Sequence, residues 1–351
     1  MRNFLMFILV GFACVSYAQS VTIDNVTAHV EYYRMPDEPL DPSFSTYSAQ
    51  VDVSKSDLRK ADATEEELID QYMNLEGYKR VSSKGDVEVT ADIGSFTVWS
   101  ESPKSNRTKT KDKNGKEIEK ITYAMEVKYS LPISLEVYDK KGFLLANTTV
   151  SSSSNTHTWT SSSYNSLNDL NNYWRYEEDN RMRQLHRELL KQEMKSFSED
   201  LNNRFGYRKI RDNTKFETIG KKKHPDYDEF EKNVNILVEA FNTMRADKGL
   251  EEIKAKIKPA LEFYNAKAAK YKSKSKDDKK LKHICLLNQG VAYFWLEDFE
   301  QAEHFASEIQ RLDRKDKDVK RLLRILEETR ESMANANRTT RHMIVVGNNK
   351  S

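Results

Sequence analysis

The chain has 351 residues, 38% of them hydrophobic, and its 57 basic and 55 acidic side chains leave a net charge of +2. That length leaves room for two domains, and the balance of charge excludes an overall polyanion or polycation. Past residue 18 no stretch reaches the eighteen or so apolar residues of a membrane span, and Cys285 has no second cysteine there to bridge to.

The first eighteen residues read as a signal peptide. Arg2 supplies the positive start, FLMFILVGFACV the greasy segment, and Ser16 and Ala18 the small residues before cleavage, so the mature chain is expected to begin at Gln19. The YAQS ending is similar to Sec leaders of exported Bacteroidota proteins. A lipid anchor on Cys14 is the alternative, although Gly11 and Phe12 fit a lipobox poorly. Charge is uneven past the leader. Residues 19–203 carry 23 basic and 31 acidic side chains, a net of −8, and residues 204–351 carry 33 and 24, a net of +9. Behind a leader the basic half reads as solvated helical surface rather than as a nucleic-acid footprint.

The expected domains are 19–222, a β-rich α+β domain, then 223–335, an all-helical domain, and a tail over 336–351. In the first, TYSAQVDVS alternates with Tyr47, Ala49, Val51 and Val53 on one face, and two longer strand-like runs follow. A short helix from Thr64 to Leu75 is signalled by the capping pair Thr64 and Glu67. Ser100 to Lys120 is expected to hold a charged, mobile hairpin tip, and the Ser/Thr-rich stretch near Trp159 an edge strand and loop. Ser166 begins a long helix, 166–203, with an apolar stripe through Leu167, Leu170, Trp174, Met182, Leu185, Leu189, Met194, Phe197 and Leu201.

Gly77-Tyr78-Lys79-Arg80-Val81 aligns without gaps on Gly206-Tyr207-Arg208-Lys209-Ile210, each following a helix. Two readings stand: a duplicated helix–strand unit, or the ordinary punctuation of a glycine after a helix end. From Pro225 onward the chain reads as five helices, at about 228–246, 250–271, 278–296, 299–312 and 317–333.

Within these lies HICLLNQGVAYFWLEDFEQAEHF, apolar almost all round from Ile284 to Leu296. Leu286, Gly290 and Tyr293 share a face, and Phe299 and Ala302 follow a short turn. The pattern resembles one tetratricopeptide repeat over about residues 283–316. Gly290 matches its small crossing residue, Tyr293 its aromatic and Ala302 its alanine, whereas Gln289, Ala306 and Arg314 depart from it. The resemblance implies a stack of helices whose concave face holds Ile284, Leu287, Val291 and Phe294, with Trp295 at its edge. That face is either filled by the chain itself, through the 166–203 helix or the HMIVV tail, or is a groove for a hydrophobic partner segment.

Catalytic spacings are lacking: the seven histidines are scattered, and no zinc, phosphate-loop or nucleophile-elbow motif occurs. His186 reads as a surface residue, and His283 with His304 as a weak metal pair. The chain is therefore expected to be a non-enzymatic, cofactor-free protein of the cell envelope, periplasmic, secreted or peripherally held at the outer membrane. It would act on envelope proteins, not nucleic acid, as a scaffold or assembly accessory. The rival expectation is an enzyme or ligand sensor with a dispersed site in the α+β domain.

Overall fold

The computed structural model describes residues 20–111 and 113–345. The leader therefore lies outside the described residues. The fold is mixed α+β, β-rich toward the N-terminus and helical toward the C-terminus. It divides into two compact units, but not at the expected boundary. One unit is Tyr32–Ile210 with residues 331–345, and the other joins residues 20–31 to Arg211–Arg330. The reason is a strand pair. β1 (Ile23–Arg34) pairs with β10 (Arg208–Ile219), and the division falls inside both strands. A boundary drawn from composition cannot anticipate a pairing between strands so far apart in sequence.

In the α+β unit, β2 (Thr46–Asp52), β3 (Lys79–Arg80), β4 (Val87–Ile93), β7 (Ile133–Asp139) and β8 (Leu144–Ser151) form a sheet in the order β3-β2-β4-β7-β8. β2 runs parallel to β3 and β4, and the remaining pairs are antiparallel. Gly85 makes the parallel crossing possible, because a Cβ there would stand 2.5 Å from the Ser48 backbone nitrogen. The crossover carries α1 (Lys55–Ala61), which the sequence reading passed over, and α2 (Glu65–Tyr72), which Thr64 caps through the expected box with Glu67.

β5 (Thr97–Lys111), β6 (Glu117–Ser130) and β9 (His157–Thr160) form a second sheet, in which β9 is the expected edge. The long helix α3 (Leu167–Arg204), capped by Ser166, packs on β6, β7 and β8 and on α1 and α2. Its Leu170, Trp174 and Leu185 join Met125 and Val127 of β6 in one apolar cluster, with Trp159 stacked on Trp174 at 5.8 Å.

The two echoing segments touch each other. Tyr207 donates its backbone N–H to Glu76 O at 2.8 Å, and the Tyr78 and Tyr207 rings lie 6.2 Å apart. Asn202 clamps the junction: Oδ1 accepts from Glu76 N at 2.7 Å, and Nδ2 donates to Asn74 O at 2.8 Å. Gly77 turns with φ +97°, and a Cβ there would strike the Tyr207 ring at 2.8 Å. The strands that follow part company, β3 entering the five-stranded sheet and β10 the two-stranded one. The likeness is thus one of local turning rather than of repeated strand placement.

The helical unit holds α4 (Tyr227–Asn242), α5 (Glu251–Lys270), α6 (Lys276–Trp295), α7 (Phe299–Leu312) and α8 (Lys317–Asn335) as far as Arg330. Consecutive helices from α4 to α7 pack on each other, most extensively α6 on α7. No described helix is long and apolar enough to cross a membrane.

Candidate functional site

The residues expected to line a groove are enclosed. Ile284, Leu287, Phe294 and Trp295 are 0%, 7%, 5% and 6% exposed, and Val291 is half-buried. The open-groove alternative is corrected accordingly. Within the helical unit, β10 lies against α6. The Asn288 side chain accepts from Glu217 N and donates to Glu217 O, both at 2.8 Å, so a side-chain amide satisfies the strand's backbone as a neighbouring strand would. Trp295 Nε1 donates to Thr214 Oγ1 at 2.8 Å, and Phe216 of β10 stacks on Phe241 of α4 at 5.4 Å. Residues 341–345 lie in the α+β unit, where Tyr33 N donates to Arg341 O and Val345 lies against Gly77.

The helix-crossing set does meet. Gly290 sits where α6, α7 and α8 converge, and a Cβ there would come 3.2 Å from Leu322 and 3.6 Å from Phe305. Tyr293 stacks on Phe305 at 5.6 Å, Phe294 contacts Phe299, and Leu286 and Ala302 are buried. These residues pack helix against helix and offer nothing to a ligand.

His283 has the carboxylates that sequence spacing did not reveal. Its Nδ1 lies 3.2 Å from Glu217 Oε2 on β10, and its Nε2 lies 2.8 Å from Asp316 Oδ2 before α8. Burial opposes a charge here, but the hydrogen bonds and charges of Glu217 and Asp316 outweigh it and push the pKa up to about 9. The raised pKa favours an imidazolium at neutral pH, and in that form the part-buried ring has both N–H groups directed at carboxylates and no lone pair for a metal. Asp316 Oδ1 meanwhile accepts from the backbone N–H groups of Asp318 and Val319, which ties the clamp to the start of α8. His186, read as a surface residue, is buried against Phe96 at 4.7 Å, and desolvation lowers its pKa. Among the described residues no His, Cys, Asp or Glu cluster is arranged to hold a metal.

At the α6–α7 turn lies an open cleft of about 680 Å³, lined by Lys254, Glu297, Asp298, Phe299, Glu303 and Arg330 among others. Its charges are largely committed: Asp298 caps α7 through Gln301 N, and Arg330 pairs with Glu303 at 3.2 Å while lying over Phe299.

The feature without an internal use is the β5–β6 ribbon. The expected mobile tip is a regular ladder, paired from Thr97 with Ser130 out to Lys111 with Glu117. Its base rests in the core through Met125 and Val127, but every described residue from Pro103 to Ile121 is exposed. From the Pro103–Met125 pair to the Lys111–Glu117 pair is eight residues, about 27 Å of strand. A two-stranded ribbon is marginal by itself, and cross-strand ion pairs support this one: Lys104–Glu126 at 3.7 Å, Arg107–Glu119 at 3.6 Å and Lys109–Glu117 at 3.6 Å. It also carries two exposed isoleucines, Ile118 and Ile121, at 45% and 36%.

No protein-family model and no curated protein matches the chain.

Proposed function

We propose that this chain is a non-catalytic docking protein of the cell envelope, in which the β5–β6 arm makes the contact and the tetratricopeptide-like helical unit is a self-filled scaffold. The observation that carries the reading is the arm itself. From the Arg107–Ile121 pair to the Lys111–Glu117 pair, four residues or about 14 Å, the ribbon is ordered, exposed on both strands and contributes nothing to its own core. Exposed strands are also an aggregation liability, which this one blunts with charge, so its length asks for a use outside the fold. The close helix crossing at Gly290 and the Tyr293–Phe305 stack support the repeat reading. The leader-like start supports the placement in the envelope.

The test is to shorten the arm by removing Arg107–Ile121 and joining Asn106 to Thr122 through an Asn-Gly turn. These two residues already face each other across the ladder, so the base keeps its register. The shortened protein is expected to unfold at the same urea concentration as the parent but to be lost from the envelope fraction. Retention equal to the parent's overturns the assignment.

A further inference from the structure

Charge on the α+β unit is segregated. Between Lys104 and Lys120 the sequence holds seven basic and three acidic residues, a net of +4, inside a unit (residues 32–210 with 331–345) that totals −2. The rest of that unit therefore carries −6. A positive ribbon stands on a negative body, and the two signs are separated along its length.

One isoleucine lies at the end of the ribbon: Ile118 pairs with Thr110, one rung from the outermost pair, whereas Ile121 pairs with Arg107 three rungs further in and on the opposite face. Lys109 and Lys111 lie on the same end of the ribbon, with Lys113 and Lys116 in the turn beyond. A basic tip interleaved with isoleucine fits the boundary between anionic headgroups and acyl chains, where lysines meet phosphate and the aliphatic side chain enters the layer. An acidic protein surface would use the lysines but leave Ile118 in water.

The length of the arm has a meaning in the same terms. At physiological ionic strength the screening length is about 8 Å. The part of the arm exposed on both strands, from Arg107–Ile121 to Lys111–Glu117, holds the tip about 14 Å out, or nearly two such lengths, so the body's own negative charge is weakened at the tip.

We infer that the outer half of the β5–β6 arm, Arg107–Lys111 with Lys113–Ile121, docks on an anionic lipid surface. The inference rests on the docking role proposed above and names what is docked on. It is tested with the mature chain and sedimented vesicles, phosphatidylcholine alone against phosphatidylcholine mixed with phosphatidylglycerol. Binding is expected only to the mixed vesicles, to weaken with added salt, and to fall by at least about tenfold in a Lys109→Glu, Lys111→Glu, Lys113→Glu variant. Ile118→Ser is expected to weaken binding with the salt dependence kept. Equal binding to both vesicles, binding to neither, or stronger retention on duplex DNA than on mixed vesicles overturns the inference.

A photocrosslinker at Thr108, used in native envelopes, separates this inference from the docking role beneath it. Crosslinks to a protein without vesicle binding overturn the lipid assignment and leave the docking role standing. Neither crosslinks nor vesicle binding overturns both.

Discussion

Helix α6 and the β5–β6 arm are the two most one-sided elements of the molecule, and they are opposites. From Ile284 to Gly290 every residue of α6 is buried, enclosed by α5, α7 and the strand β10. From Pro103 to Ile121 every described residue of the arm is exposed. The apolar excess of α6 looks like a binding surface in the sequence but is consumed inside the fold. The outer arm looks like a solvated hairpin tip, and it is a regular ladder exposed on both strands from Arg107–Ile121 outward. In this protein, apolar periodicity marks what the fold consumes, and charged alternation marks what stays in water.

The comparison can be broken most forcefully at Trp295. Trp295→Ala empties a buried site and strands Thr214, and is expected to cost about 3–5 kcal/mol in urea unfolding. A cost under about 1 kcal/mol would mean that α6 is not enclosed as described.

The His283 clamp tests the closure between α6, β10 and the start of α8 through pH. Its folded pKa is raised to about 9, above the unfolded value, so its stabilisation is complete below about pH 6.5 and is lost as pH rises through 9. The loss is on the order of 3 kcal/mol by linkage. Unfolding free energies at pH 6 and pH 10 should differ accordingly, and His283→Gln should flatten that slope.

In the α+β unit, Asn202→Ala removes the amide that serves Glu76 N and Asn74 O, for an expected loss of about 1–3 kcal/mol. At the far end of the scale, Ile118→Ser on the arm should change stability by less than about 0.5 kcal/mol. A larger change in the unfolding midpoint would show that the arm packs on something in its own chain.

Features written locally were legible. The Thr64–Glu67 box and the Ser166–Asp169 cap start helices where expected, and the five C-terminal helices fall within a few residues of their periodicity. The enclosure of α6 was also anticipated, since a helix apolar on all sides must be covered. What covers it was not, because Asn288 meets Glu217 and Trp295 meets Thr214 across long stretches of chain. Strand β1 shows why: Val26, Ala28, Val30 and Tyr32 alternate plainly, yet the alternation says nothing of a partner as distant as β10. The same distance hid both carboxylates of His283. The arm was read as a hairpin tip, but how far its ladder runs was not legible, since a run of Lys, Thr and Asn has the composition of a turn and its order lies in cross-strand pairing.

The shared ribbon of β1 and β10 bears on synthesis. As the chain leaves the ribosome, β1 emerges early, and its mate follows only after strands β2 to β9 and helices α1 to α3. The helical unit cannot be completed until that span has been made and looped back, although the entropy cost of the loop grows only slowly with its length. Fragments that start after Ile219 lack the strand that lies on Trp295. They are expected to fail by clumping rather than by simple unfolding, because the surface left bare carries Trp295 and Phe241.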